Sequence, residues 1–573
     1  MAKDKITDYS ATNSDNTDIG GIGILGTNTI SNFDNAVREV MTHLAEINAG
    51  TYPLADTFSV GDPADLTKKV RIDAGNVTAG QTRVLAMPDQ NVTVTADAAD
   101  LLAQVLSSTQ KNKVVKVNNA GTAYVFQRNP FYDPYEYGCV GDGSTNDTTN
   151  LAACITAADA DDGIGGGVRG RGVTVIPNGF FATNGVTLSN DGSRIMGLGG
   201  RLQTRAASQN LLTVAASSCV VENLTLFDPF LPVSANSVLQ HTAGSDCTFR
   251  KLDIIGGYYG IRGQGSSPAN AGDSLYIDCK VRNCYASFVY LQNYLGMWCI
   301  RGKFDGSWPV QAPVAANDKG AWTATTGYSV GDVVTKSGYA YQCKTAGTSG
   351  ATGPVATIKG TDITDGGVTW LLHRTTSAAG IEIDGDCFIN LFQTCDFTGG
   401  HMYSAYLRRT TGTYAPQTTY FGIGCEFGSP FYDGIRIDEA AFVVLTDMII
   451  DGGITSASNG VVGTTCQTLN ITGCLIHGYN TGVRITTGMT DTNLRNNTIV
   501  GNTTYGVRVL ANANDFRIHD NNIGTGTWGT NGTSVSIAAG TSDRYRVKDN
   551  DTYGSGDVSD GGIGFKKTVS GNF

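Results

Sequence analysis

Gly434-Ile435-Arg436-Ile437-Asp438 is followed along the chain by Gly460-Val461-Val462, Gly482-Val483-Arg484-Ile485-Thr486 and Gly506-Val507-Arg508-Val509. Each stretch reads small residue, apolar, any, apolar, any. The same unit stands earlier as Gly260-Ile261-Arg262-Gly263-Gln264, Ser287-Phe288-Val289-Tyr290-Leu291, Gly380-Ile381-Glu382-Ile383-Asp384 and Ser404-Ala405-Tyr406-Leu407-Arg408. The first two start 27 residues apart, and from 380 onward the steps are 24, 30, 26, 22 and 24. Alternation with period 2 sends the apolar members to one face and Arg436 or Arg484 to the other. Repeated once per 22 to 30 residues, it describes one strand in each turn of a solenoid whose coils share a single core.

A second strand precedes most of these units: Leu252-Asp253-Ile254, Cys279-Lys280-Val281, Cys395-Asp396-Phe397, Cys425-Glu426-Phe427, Asp447-Met448-Ile449 and Cys474-Leu475-Ile476. It ends as Asn497-Thr498-Ile499 and Asn521-Asn522-Ile523. The cysteines share one inward column and read as core packing, and Asn497 and Asn521 continue that column as an amide ladder at a turn. The 13 cysteines form an odd set scattered through apolar patterns, as expected of free thiols in a protein assembled in a reducing cytoplasm. No metal site and no cofactor is expected.

Upstream, Tyr135-Glu136-Tyr137-Gly138-Cys139-Val140-Gly141-Asp142-Gly143-Ser144-Thr145-Asn146-Asp147 leads into an Ala-rich helix from Thr148 to Ala158. Gly163 to Gly167, the strand Val173-Thr174-Val175-Ile176 and the turn Pro177-Asn178-Gly179-Phe180 follow. This order resembles the opening of the pectate-lyase-like superfamily, which implies an all-β, right-handed parallel β-helix whose first coil is covered by the helix. The superfamily holds lyases, hydrolases and non-enzymatic fibres, so the resemblance carries no catalytic residue.

Composition agrees with many short strands: 74 Gly, 14 Pro and only 16% charged residues among 573. A net charge of −11 leaves no basic footprint for nucleic acid. The start, Met1-Ala2-Lys3-Asp4-Lys5, carries no apolar signal region, and no run approaches a membrane span.

At the N-terminus, Phe33, Ala36, Val37, Val40, Met41, Leu44 and Ile47 recur at helical spacing, with Ser31 or Asn32 as cap and Gly50 as stop. Asp4 to Ser10, Asn16 to Gly21, and Val70 to Gly75 with Thr82 to Leu85 resemble the opening of bacteriophage tail-fibre and tailspike proteins. That resemblance implies attachment to tail or baseplate proteins of the virion, a homotrimer, and a polysaccharide of the bacterial surface as the outer partner. The expected organisation is an attachment region and neck at 1–128, β-helix at 129–308, an insert at 309–378, β-helix at 379–548 and a short tail at 549–573.

The insert follows from one long step: 287 to 380 is 93 residues, a coil plus a small domain. It holds Trp322, Tyr328-Ser329-Val330-Gly331-Asp332-Val333-Val334, Tyr339-Ala340-Tyr341 and Trp370. The pattern resembles small carbohydrate-binding modules of the chitin-binding type. Trp322, Tyr328, Tyr341 and Trp370 either stack on sugar rings or fill the core that so small a domain needs.

Polysaccharide hydrolysis needs two carboxyl groups in unlike environments. Outward positions in one column lie about 4.8 Å apart per coil. Asp396 and Glu426 are outward in adjacent coils, near the ~5 Å of a retaining pair. Asp384 and Asp438 share a column two coils apart, roughly 9–10 Å, with Arg408 between them and Glu382, Tyr406 and Arg436 alongside. Arg408 and Arg436 are the expected sugar-binding cations. A lyase would use His401, Tyr403 or a lysine as base instead, and a fibre of the same fold would only bind. The expected protein is thus a tailspike on the virion that binds and depolymerises a capsule, exopolysaccharide or O-antigen.

Overall fold

The computed structural model describes residues 17–19, 21–23, 30–48, 57–62, 65–73, 113–117, 124–128, 130–161, 172–267, 270–311, 315–398, 402–428, 430–452, 458–554 and 558–573. The chain divides into two compact units, 1–103 and 104–573. In the first, strands Asp18–Ile19 and Ile22–Gly23 pair antiparallel, as do Thr57–Asp62 and Asp65–Asp73. The helix spans Ile30–Asn48, so Ser31 and Asn32 lie inside it and do not cap it. It buries Ala36 and His43 and leaves Phe33, Val37, Met41 and Leu44 exposed. The expected attachment segment at Asp4 to Ser10, and Thr82 to Leu85, lie outside the described residues.

The second unit is a parallel β-helix of about 14 turns. Its strands stack into three sheets of 12, 13 and 16 strands. One coil shows the logic. Thr465–Thr472 lies in the 16-stranded sheet, Leu475–His477 in the 12-stranded sheet and Thr481–Ile485 in the 13-stranded sheet. Ile471, Ile476, Val483 and Ile485 point inward and are fully buried. Each such side chain contributes roughly 1.5–3 kcal/mol, and aromatic steps such as Phe304 on Phe397, with ring centroids 4.3 Å apart, continue the stacking from coil to coil.

The corner between the 16-stranded and 12-stranded sheets is turned by one residue with positive φ. Asn223, Lys251, Asp278, Arg301, Thr394, Asp447, Asn496, Asp520 and Asp549 take φ of 50° to 57°, and Gly424, Gly473 and Gly571 occupy the same place. The next residue points into the core. It is Cys279, Cys395, Cys425 and Cys474 in four coils, all buried, and then Asn497, Asn521 and Asn550. The Nδ2 of Asn497 donates to Oδ1 of Asn521, Asn521 to Asn550 and Asn550 to Asn572, each at 2.9 Å. This is the expected amide ladder, and it extends two coils farther than the sequence pattern indicated. All thirteen thiols are free and buried.

The helix Thr148–Ala160 covers the first coil, burying Leu151, Cys154 and Ile155. The Asp147 carboxylate ties the Gly-Asp-Gly turn to the helix start by accepting from the N–H groups of Val140 (2.7 Å) and Gly141 (3.2 Å). The chain leaves the solenoid after Lys303–Asp305 and forms a separate five-stranded sheet between Asp318 and Thr375. It then resumes in register: Val289 pairs with Ile381, and Lys303 with Asp396.

Replacing Asn521 by Ala leaves the buried N–H of Asn497 without its acceptor at 2.9 Å. We expect Asn521→Ala to lower stability by about 2–4 kcal/mol, since each orphaned buried group costs about 1–3 kcal/mol. Asn493→Ala, on the outward face of the preceding coil, should change it by less than about 0.5 kcal/mol. Denaturant midpoints of the two variants check the difference.

Candidate functional site

Strand register assembles the site on the outward face of the 13-stranded sheet. Tyr290, Glu382, Tyr406 and Arg436 form one column, which continues through Val462, Arg484 and Arg508. Gln292, Asp384 and Arg408 form the column on one flank. On the other, Tyr403 pairs with Asp433, and Asn459 with Thr481 and then Tyr505. A cavity of about 390 Å³ opens over these columns, lined by Tyr403, Tyr432, Asp433, Arg436, Asp438 and Arg484 among others.

The insert flanks the cavity. Trp308 stacks on His373 of the insert at 3.8 Å and leans on Phe431 at 5.4 Å. Val333 of the insert is buried in the same cluster, against which Met402 and Tyr432 pack. A residue lining the cavity is therefore packed against the inserted domain.

Two carboxyl groups in this cavity differ sharply. Asp433 is 5% exposed. Its Oδ1 accepts from the backbone N–H of Asn459 (2.8 Å) and from Asn459 Nδ2 (2.7 Å). Burial nevertheless pushes its pKa above the ordinary aspartate value, against the pull of Asn459, Arg436 and Arg484. Asp438 faces the open groove. It accepts from Tyr406 Oη (2.5 Å) and Arg436 Nε (3.0 Å). One guanidinium spans the two, since Arg436 Nη1 lies 3.7 Å from Asp433 Oδ2. That shared contact keeps the carboxyl groups no farther apart than the ~9.5 Å upper limit of inverting pairs.

The other expected site residues are placed as follows. Asp384 and Arg408 are cross-strand neighbours as the periodicity indicated, but Asp384 is only 1% exposed. Its Oδ1 accepts from the N–H of Thr410 (2.7 Å), and Oδ2 takes the Thr410 hydroxyl. Asp384 is thereby sealed from solvent, whereas its expected partner Asp438 lines the cavity. Arg408 is ion-paired with Glu382 and lies 3.7 Å from Asp384, with part of its side chain open to solvent. Glu382 is itself buried, with its pKa raised by desolvation and drawn back by Arg408. Asp396 and Glu426 are register neighbours. They lie on the 12-stranded sheet, apart from the groove, and Asp396 is 3.8 Å from Lys303. Arg436 sits at the centre of the cavity.

In the insert, Tyr328, Tyr341 and Trp370 are buried in a common core, which settles their two readings in favour of packing. Trp322 is partly buried, and its indole N–H and that of Trp370 both donate to Asp365 Oδ2, at 2.9 and 3.2 Å. His401 lies outside the described residues. Asp433, Asn459, Tyr432 and Arg484 were not singled out from the sequence. A signal for Asp433 and Asn459 existed, because each directly precedes the small residue that opens a unit, as Tyr403 and Tyr505 do.

Residues 393–572 match the family described as periplasmic copper-binding protein (NosD), less than half of the chain. The donors in that stretch do not suit copper. Cys395, Cys425, Cys466 and Cys474 point into the core, and no group of three or more His, Cys, Asp or Glu able to hold a metal occurs among the described residues. No curated protein matches the chain. Among solved structures, the A-module of mannuronan C-5 epimerase AlgE6 from Azotobacter vinelandii is similar at 13% identity and TM-score 0.41, over 77% of this chain and 98% of that one. Gene product 12 of bacteriophage phi29 in its pre-mature form is similar at 12% identity and TM-score 0.44, over 82% and 57%. Tailspike protein 3 of bacteriophage CBA120 is similar at 12% identity and TM-score 0.42, over 92% and 79%.

Proposed function

We propose that this chain is the subunit of a phage tailspike that holds a bacterial surface polysaccharide along the groove and hydrolyses it with Asp433 and Asp438. The observation that carries the reading is one arginine, Arg436, touching a buried carboxyl group and a groove-facing one in the same cavity. Asp433, whose burial favours the protonated form, gives its proton to the glycosidic oxygen; Asp438 takes one from the attacking water. Arg436 keeps both carboxyl groups oriented. Tyr403 is poorly suited to act as a lyase base, because burial raises its pKa, and a tyrosinate would have to form beside Asp433 and Asp438.

Three copies are proposed to assemble through the 16-stranded sheet. Its outward face carries Leu275, Trp298, Leu391, Tyr420 and Val444 in one continuous column, with Trp298 43% exposed. An apolar stripe running along the coils is covered by its own copies around a threefold axis. The first unit is proposed to join the spike to the virion. Among the described residues no helix is long and apolar enough to cross a membrane.

Incubation with host polysaccharide tests the chemistry. We expect new reducing ends without unsaturated sugars, and Asp433→Asn and Asp438→Asn each to lower the rate about 100- to 10,000-fold. Asp396→Asn and Glu426→Gln should cleave at the unsubstituted rate. Unsaturated ends would reveal a lyase, and an intact but bound polymer an adhesin. Because burial raises the Asp433 pKa, cleavage should fall as pH rises through that value. Stability follows the same direction: the advantage of the buried protonated form is complete below the unfolded value of ~3.9 and is lost as pH rises through the folded one. Asp433→Asn should abolish that slope in pH-dependent unfolding.

Light scattering checks the assembly. The unsubstituted chain is expected at three times the subunit mass, and Trp298→Glu at one.

A further inference from the structure

Arginines on the outside of this solenoid are mostly paired with an acid in a neighbouring coil: Arg250 with Glu222, Arg282 with Asp253, Arg301 with Asp278, Arg544 with Asp515. Arg484 and Arg508 break that pattern. They are direct cross-strand neighbours in adjacent coils of the groove, about 4.8 Å apart at the backbone. Like charges in directly opposed positions repel. No ion pair is formed by either among the described residues, and Nε of Arg484 is buried without a hydrogen-bond partner. The nearest groove acids, Asp433 and Asp438, are both engaged by Arg436. Val462 and Ser536, next in the column on either side, carry no charge. Arg508 lies with its guanidinium 4.8 Å from the centre of the Tyr505 ring, which fixes its direction. Arg484 itself lines the cavity that holds the acid pair.

We propose that Arg484 and Arg508 form a subsite for the carboxylate of a uronic acid in the polysaccharide. Two guanidinium groups from adjacent coils offer forked N–H donors, the chemistry that grips a carboxylate through both oxygens. The bound anion supplies the counter-charge that the two coils lack. Thr486 lines the cavity beside Arg484, its hydroxyl held by the Gly463 carbonyl at 2.7 Å. Arg484 stands two coils from Arg436, about 10 Å along the groove, so the acidic sugar lies beside the cleaved linkage and sets which linkage enters. This placement rests on the groove being the polysaccharide site; the anion preference itself does not depend on hydrolysis.

Saturation-transfer NMR on the full-length protein tests it, with sodium D-glucuronate and D-glucose as probes at equal ionic strength. Glucuronate should receive saturation and glucose should not, and inorganic sulfate should compete. The Arg484→Gln/Arg508→Gln protein should lose affinity for glucuronate about tenfold or more, and Arg484→Lys/Arg508→Lys should retain part of it. Equal signals from the two sugars, or an unchanged glucuronate signal in the Gln variant, would overturn the subsite. Asp433→Asn/Asp438→Asn is the separating control. If those acids prove irrelevant to cleavage while glucuronate still requires the arginines, the hydrolase reading fails and the subsite stands.

Discussion

A single left-handed residue at the corner between two sheets is the constraint on which the rest of the solenoid depends. Nine non-glycine side chains in the described residues hold φ near 50–57° there, a conformation that costs roughly 1–2 kcal/mol for an ordinary L-residue. It persists because the hydrogen bonds of the coils above and below leave the backbone no alternative. Asn and Asp take six of these nine places, where a short polar side chain tolerates the conformation. The sharp turn aims the next residue into the core, and so creates the column of Cys279, Cys395, Cys425, Cys474 and the asparagine ladder. It also fixes the phase of every following strand, including the one that carries Arg436, Arg484 and Arg508.

Inward positions were legible from the sequence because burial imposes a strict alternation, and the small residue before each strand marks its start. Thus the pairing of Glu382 with Tyr406 and Arg436, and of Asp396 with Glu426, is as periodicity gives it. Periodicity does not tell which of three outward faces is hollow. Asp396 and Glu426 look as promising as Asp438 in one dimension, yet stand on the 12-stranded sheet and do not line the cavity. Asp384 alternates outward and is still sealed, because Thr410 from the next turn folds over it. The loop partner, invisible to the repeat, decides its exposure. Trp370 and Tyr341 carry the same lesson, since an aromatic pattern suits a sugar platform and a small core equally.

The groove derives its character from an uneven distribution of charge. Toward the insert, Arg408 is locked between the buried Glu382 and Asp384. At the next coil Arg436 holds two acids of unlike exposure. Beyond that Arg484 and Arg508 form no ion pair among the described residues, although Arg484 still attracts Asp433 from a distance. On the proposed reading, a polymer lying along these coils passes from the Arg408 cluster, over the acid pair, to the arginine column, and so has a preferred direction. A repeat with a rise of about 4.8 Å presents each sugar in turn with a different side chain on an otherwise regular floor.

The thirteen buried thiols bear on how such a protein is held together. Burial pushes the pKa of Cys279, Cys466 and Cys474 up to about 12, so almost none of their sulfur is present as the reactive thiolate near neutrality. Cys247 is shifted the opposite way, its pKa drawn down by its contact with Cys219 and by His241, but it too is buried. With no disulfide among its thirteen cysteines, the fold is held covalently by the backbone alone and otherwise by packing and hydrogen bonds.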